Sequence, residues 1–153
     1  MATTTIPGAT LRPARSSDLS AIERLLTDSG LPLAGVAEAL DTFTVAESGT
    51  ELVGVAGLEV CCDNALLRSV AVMPEWRSRG LGRTLVTHVI ADATARGLHA
   101  LYLLTTSAER YFPSFGFRPI TRDDVPADVR ETDEFRTACP ASATVMARTL
   151  SAR

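Results

Sequence analysis

The chain has 153 residues, 46% hydrophobic and 22% charged, with a formal net charge of −3 and no lysine, so every basic side chain beyond two histidines is arginine. That length and mix fit one globular domain, residues 1–153, with a substantial core. A slightly acidic chain with dispersed arginines offers no basic face to nucleic acid, and no apolar run approaches the ~18 residues of a membrane helix. Residues 1–10 lack the charged-then-apolar plan of a signal peptide, so a cytoplasmic protein without nucleic-acid or membrane partners is expected.

In chain order, residues 10–14 predict a short first strand. Ser16, Ser17 and Asp18 are N-cap residues, and Leu19, Ile22, Leu25 and Leu26 then recur at helical spacing until Gly30. A second short helix is expected over 31–40, with Gly35 as its weak point. Strands over 42–47 and 51–60 are joined by Ser48-Gly49, a hairpin. A turn at Asp63-Asn64 leads into a central strand over 66–72. Residues 82–95 bring Leu85, Val86, Val89 and Ile90 to one helical face, and Gly97 follows. The apolar run 100–104 predicts a strand covered on both faces. A short helix over 107–112 stops at Pro113, Phe115-Gly116-Phe117 turns into another strand, 123–131 is acidic and loop-rich, and 143–150 is a last strand. This mixed order implies an α+β layering around one sheet. The last strand could pair across a two-fold axis, giving a homodimer.

Cys61, Cys62 and Cys139 make an odd count with two adjacent residues, which is no disulfide framework and lacks zinc-ligand spacing. They read as small buried hydrophobes, and no metal is expected.

The chemistry concentrates in 66–86, LLRSVAVMPEWRSRGLGRTLV, where an apolar strand runs into a proline turn, then Arg-x-x-Gly-x-Gly, then an amphipathic helix. Gly80 and Gly82 let the backbone approach a ligand closely, and the helix start offers unpaired N–H groups at its positive end. Arg77, Arg79 and Arg83 add guanidinium forks suited to phosphate oxygens. A dinucleotide-binding turn would need Gly-x-Gly-x-x-Gly, and a P-loop would need Gly-Lys-Ser/Thr, so neither fits. The plain alternative is a solvated surface loop at a helix start.

This segment resembles the acyl-CoA loop of the GNAT superfamily, the GCN5-related N-acetyltransferases, through Arg77, Gly80 and Gly82 preceded by Val72 and Pro74. The element order resembles the same fold along essentially the whole chain. The resemblance implies a mixed sheet splayed between its fourth and fifth strands, here 66–72 and 100–104, with acetyl-CoA as co-substrate. It implies donor contacts at Val70, Ala71 and Val72, at Arg77, Ser78, Arg79, Gly80, Leu81, Gly82 and Arg83, and at Thr105 and Ala108. The tyrosine that many members place four residues before the Gly-Phe signature is Phe112 here, and their frequent asparagine is Thr105. Tyr111 is next door, but neighbours on a helix point about 100° apart. Direct attack with an unassisted or water-assisted thiolate is therefore expected, with Tyr111 either an alternative acid or a packing residue.

Glu59, alone in an apolar strand, is the candidate general base, or else pairs with Arg68. Arg68 could bind a substrate carboxylate or face solvent. The second half is similar to the acetyltransferase module of N-acetylglutamate synthases, and more so to small GNATs encoded with arsenic-resistance systems. Both imply a small polar amine acceptor, an amino acid or analogue, with Thr105, Thr106, Thr132 and Ser142 as polar lining, Phe135 nearby, and Arg68 or Arg136 for a carboxylate. Each hydroxyl could equally serve only strand or turn packing. Two other readings are an acetyl-CoA sensor without turnover and an arsenite binder using the three cysteines.

Overall fold

The computed structural model describes residues 5–6, 8–106, 108–132, 135–136 and 143–150. Eight strands form one sheet in the order β1-β2-β3-β4-β5-β6-β8-β7. They are β1 (Thr5–Ile6), β2 (Ala9–Pro13), β3 (Phe43–Ser48), β4 (Glu51–Cys61), β5 (Asn64–Val72), β6 (Ala100–Thr105), β7 (Arg118–Ile120) and β8 (Thr144–Thr149). The helices are α1 (Leu19–Asp28), α2 (Leu81–Ala95) and α3 (Ala127–Arg130). All pairings are antiparallel except β5 with β6. Among the described residues no helix is long and apolar enough to cross a membrane.

The expected strands are present with ends moved by one or two residues, and the two-residue β1 is added. Counting β1, the two splayed strands are β5 and β6. Two expected helices differ. Residues 31–40 form no α-helix: 34–39 make successive turns, because Gly35 takes φ +80° and interrupts the right-handed run. The helical turn after β6 is a 3-10 segment at Phe112–Phe115, so Pro113, expected to stop a helix, instead lies in the first turn of one, where a missing N–H costs nothing. The acidic stretch contains α3, capped by Pro126. The last strand, expected to pair across a two-fold axis, is hydrogen-bonded on one side to β6 and, over 145–147, on the other to β7, which takes up much of the edge that such pairing would use.

On one face of the sheet α2 buries Leu81, Leu85, Val86 and Val89 against Ala56, Leu58, Leu67, Leu101, Leu103 and Met146. Each fully buried leucine there contributes about 2 kcal/mol relative to exposure. On the other face α1 packs Ile22, Leu25 and Leu26 against Phe43, Val45, Val55 and Ala71. Beside it, α3 packs Val129 against Leu66 and Val145. Gly57 has a packing reason, since a Cβ there would stand 2.5 Å from the Phe43 ring.

Candidate active site

Two irregularities in β5 build the site. The first is a bulge. Arg68 pairs with Gly57 and Ala71 with Val55, so Ser69 and Val70 together oppose Ala56, and Ser69 takes φ +59°. The extra residue inverts the alternation of side chains. Leu67, Val70 and Val72 face α2, whereas Leu66, Arg68 and Ala71 face the other way. Arg68 therefore sits between the apolar clusters of α1 and α3.

The second irregularity is a parting of strands. The parallel register of β5 with β6 runs Asn64↔Ala100, Ala65↔Leu101 and Leu66↔Tyr102, and ends there. Beyond it a cleft of about 210 Å3 opens between the two strands. Leu67, Val70 and Leu103 from the α2 face and Arg68 and Leu104 from the other both line it, as a gap through a sheet requires. Thr105, Ala108, Tyr111 and Phe112 close one side, and Leu31 and Pro32 reach it from the turn after α1.

At the far end of β5 the chain passes a 3-10 turn, Pro74–Trp76, into α2. Ser78 and Gly80 have φ +65° and +86°, and Gly80 is the N-cap, a backbone state that a glycine takes without steric cost. Thr84 ties its N–H and its hydroxyl to the Gly80 carbonyl, each at 3.0 Å. A Cβ on Gly82 would stand 3.8 Å from Val72 Cγ2 and 3.4 Å from Tyr111 Oη. The Tyr111 hydroxyl thus lies at the start of α2.

The three expected arginine forks are deployed differently. Arg77 donates from Nε to the Val72 carbonyl at 3.0 Å and so braces the turn against β5. Arg79 lies 4.7 Å above Trp76, and Arg83 lies 4.7 Å above Phe115 and reaches Ser114 Oγ at 3.3 Å. Arg79 and Arg83 stay exposed beside the helix start, each presented from an aromatic surface. Burial pushes the Tyr111 hydroxyl above its ordinary range, and Arg83 pulls the other way.

On the opposite side, Arg68 is 2% exposed. Its Nη1 donates to Glu59 Oε1 at 3.0 Å and its Nε to Ser69 Oγ at 3.1 Å. Of the described residues expected to bind the acceptor, Arg68 and Thr105 line the cleft. Thr106 and Arg136 are exposed. Thr132 donates to the Val129 carbonyl at 2.9 Å and accepts from Phe135 N–H at 3.2 Å, which closes the turn after α3. Phe135 lies under Arg122. Thr105 accepts from the Ala108 N–H at 2.9 Å. Ser142 and Cys139 fall outside the described residues. Burial, with Glu59 nearby, pushes the Cys61 thiol up to about 12, and Cys62 is exposed on the turn that follows. Sequence reasoning did not single out Ser69, nor Leu31 and Pro32 within the segment 27–40 that varies with the acceptor in the family the sequence resembles. For Ser69 the signal was the polar interruption Arg68-Ser69 in an apolar strand.

Residues 39–119 match a family model described as an acetyltransferase (GNAT) domain. Among curated proteins the chain is similar to the amino-acid acetyltransferases of Aeromonas salmonicida, 32% identical over 91 residues, and of Neisseria meningitidis, 28% identical over 130 residues. These alignments cover 58% and 79% of this chain but only 21% and 30% of the relatives, so the chain spans a minor part of their length. Its fold is similar to that of N-acetylglutamate synthase from Neisseria gonorrhoeae, crystallised with coenzyme A and N-acetyl-glutamate. That likeness has a TM-score of 0.81 at 24% identity and covers 96% of this chain and 36% of the other. The Mycobacterium tuberculosis protein Rv2747, solved in complex with CoA, is similar along its full length, with a TM-score of 0.76, 26% identity, and 93% and 99% coverage.

Proposed function

The chain belongs to the GNAT family of N-acetyltransferases, and from that premise we propose that it acetylates the primary amine of an amino acid or amino-acid analogue. Acetyl-CoA is the donor, and the amine attacks directly within a ternary complex. The observation that carries the reading is the parting of β5 from β6 after Leu66↔Tyr102, which leaves strand edges without a partner beside the start of α2. The groups present fit a CoA thioester. Edge groups of Val70 suit an amide added as a strand would be, the Val72 carbonyl being held by Arg77, and the first N–H groups of α2 with Arg79 and Arg83 suit a diphosphate. Leu81 anchors that helix start in the core.

Arg68 lies four residues back from Val72, toward the point where the strands rejoin. At about 3.3 Å per residue that is on the order of 10 Å from the diphosphate end, which suits the reacting end of the donor. The buried guanidinium supplies a charge for the acceptor's carboxylate and so aims its amine. The nitrogen bonds to the thioester carbonyl carbon, the C–S bond breaks, and the amine's proton leaves through water, giving the amide and the CoA thiol. A backbone N–H at the bulge is the donor for the developing oxyanion. Glu59 is assigned to holding Arg68, because its carboxylate accepts from that side chain and does not line the cleft. Tyr111, its hydroxyl beside Gly82, is assigned to donor binding.

The test is thiol release from acetyl-CoA with amino acids and their analogues against polyamines and aminoglycosides. Turnover confined to amino-acid-like amines is expected. Binding of acetyl-CoA with no turnover of any amine would make the protein a sensor instead.

A further inference from the structure

Among the described residues, Cys62, Ser69 and Ser78 take a positive φ without being glycine. Cys62 and Ser78 lie in turns, whereas Ser69, at +59°, stands inside β5. A glycine would adopt that backbone without steric cost, and a side chain held in a strained conformation marks a place where its own group is needed. Ser69 is 8% exposed and lines the cleft. Its Oγ accepts from Arg68 Nε at 3.1 Å. An Nε–H only donates, so that bond occupies a lone pair of the oxygen and leaves the hydroxyl's own proton to give. Among the described residues no second partner takes it.

The guanidinium draws electron density from the oxygen it bonds, which makes the O–H a stronger donor. Ser69 and Val70 together form the bulge, so the hydroxyl and the backbone N–H that follows it are neighbours on the wall of the cleft. Two fixed donors on a wall largely closed to solvent suit a carbonyl oxygen that gains charge. We propose that Ser69 is a catalytic residue whose hydroxyl donates, beside the backbone N–H of the bulge, to the thioester oxygen of acetyl-CoA. As the amine nitrogen bonds to the carbonyl carbon, the C=O electron pair moves onto that oxygen and both donors hold it. The pair returns as the C–S bond breaks, and Ser69 keeps its proton throughout. This assignment rests on the donor placement proposed above and not on which amine is the acceptor.

The test uses two variants of the full chain. Ser69→Gly removes the hydroxyl and adopts the left-handed backbone freely, so the bulge is kept, and Ser69→Ala removes it with the Cβ in place. Difference infrared spectroscopy reads the carbonyl band of bound acetyl-CoA, isotope-labelled at the thioester carbon, and calorimetry reads its affinity. In both variants the band is expected to move to higher wavenumber than in the parent, while affinity changes less than about fivefold. With an accepted amine, kcat is expected to fall about 100-fold at little changed acceptor KM. A band that stays in place in both variants overturns the inference, whatever the acceptor. So does a raised acceptor KM at unchanged kcat, the result of a hydroxyl that only braces Arg68. If the band moves and the loss of kcat is seen with amines other than amino acids, the inference stands and the amino-acid reading falls.

Discussion

The proposed donor half of the site and the proposed acceptor half are built by different means. The donor half is mainly the end of β5, the proline turn and the start of α2, contiguous over 70–84, with Tyr111 and Phe115 added from after β6, and most of its shape comes from local rules: a left-handed Gly80, a helix N-terminus, and Arg79 laid on Trp76. The acceptor half takes Arg68 from β5, Glu59 from β4 and Leu31 and Pro32 from the turn after α1, so it exists only when distant segments meet. A contiguous half carries the chemistry common to a family, and an assembled half is free to change with the substrate. Here the acceptor half holds one buried cation in an apolar frame.

If the halves are separable, substitutions should act on one at a time. The largest effect belongs to Gly82→Asp, which sets a negative charge at the helix start without needing a left-handed backbone. Calorimetry should show acetyl-CoA affinity falling more than about 100-fold while the fold is kept; unchanged affinity would dismantle the donor half as described. Glu59→Gln should raise the acceptor KM roughly tenfold and leave kcat and the acidic limb of the pH profile nearly intact, since the variant loosens a positioned guanidinium. A flattened acidic limb would instead make Glu59 the general base. Tyr111→Phe should raise the KM for acetyl-CoA by about fivefold, one hydrogen bond's worth, at unchanged kcat. A fall in kcat would make the hydroxyl the thiolate's acid.

The smallest effect concerns the joint that carries α1. Arg12 donates to Asp18 at 2.8 and 3.0 Å and to Glu47 at 3.0 Å, linking β2, β3 and the approach to α1. The guanidinium, through hydrogen bonds, holds the Asp18 carboxyl below its ordinary value. Such a lowered carboxylate stabilises the fold above the ordinary carboxylate range and ceases to do so as pH falls through its own depressed value. Asp18→Asn should therefore cost about 1 kcal/mol at neutral pH in urea unfolding, and the gap to the parent should close in acid. Acetyl-CoA affinity should stay unchanged, because the donor half does not touch this joint.

Most of the donor half was legible in the sequence. Pro74, Arg77, Gly80 and Gly82 fall on a strand–turn–helix pattern, and each of those elements is fixed by neighbours within a few residues. Even so, the pattern did not say that Arg77 braces the turn while Arg79 and Arg83 rest on Trp76 and Phe115, since side-chain placement depends on rings from elsewhere. In the acceptor half, apolar residues at 31, 33, 36 and 40 suggested a helix, but Gly35 adopts a left-handed turn and the segment instead lends Leu31 to the cleft. The candidates Thr106, Thr132 and Arg136 share a polar character with acceptor-binding groups, yet Thr132 closes a turn and the other two face outward.

By itself the sequence determined the order of the strands from β2 to β8, the helices α1 and α2, the α2 core face and the glycine turn before it, because periodicity, glycine and helix ends are local physics. Only the tertiary structure decided that β5 leaves β6 after Leu66, that a bulge at Ser69 and Val70 turns Arg68 to the α1 and α3 face, and that β8 lies between β6 and β7. Those outcomes depend on register between strands distant in sequence. A shift of one residue there reverses which face a side chain occupies, and no local preference fixes it.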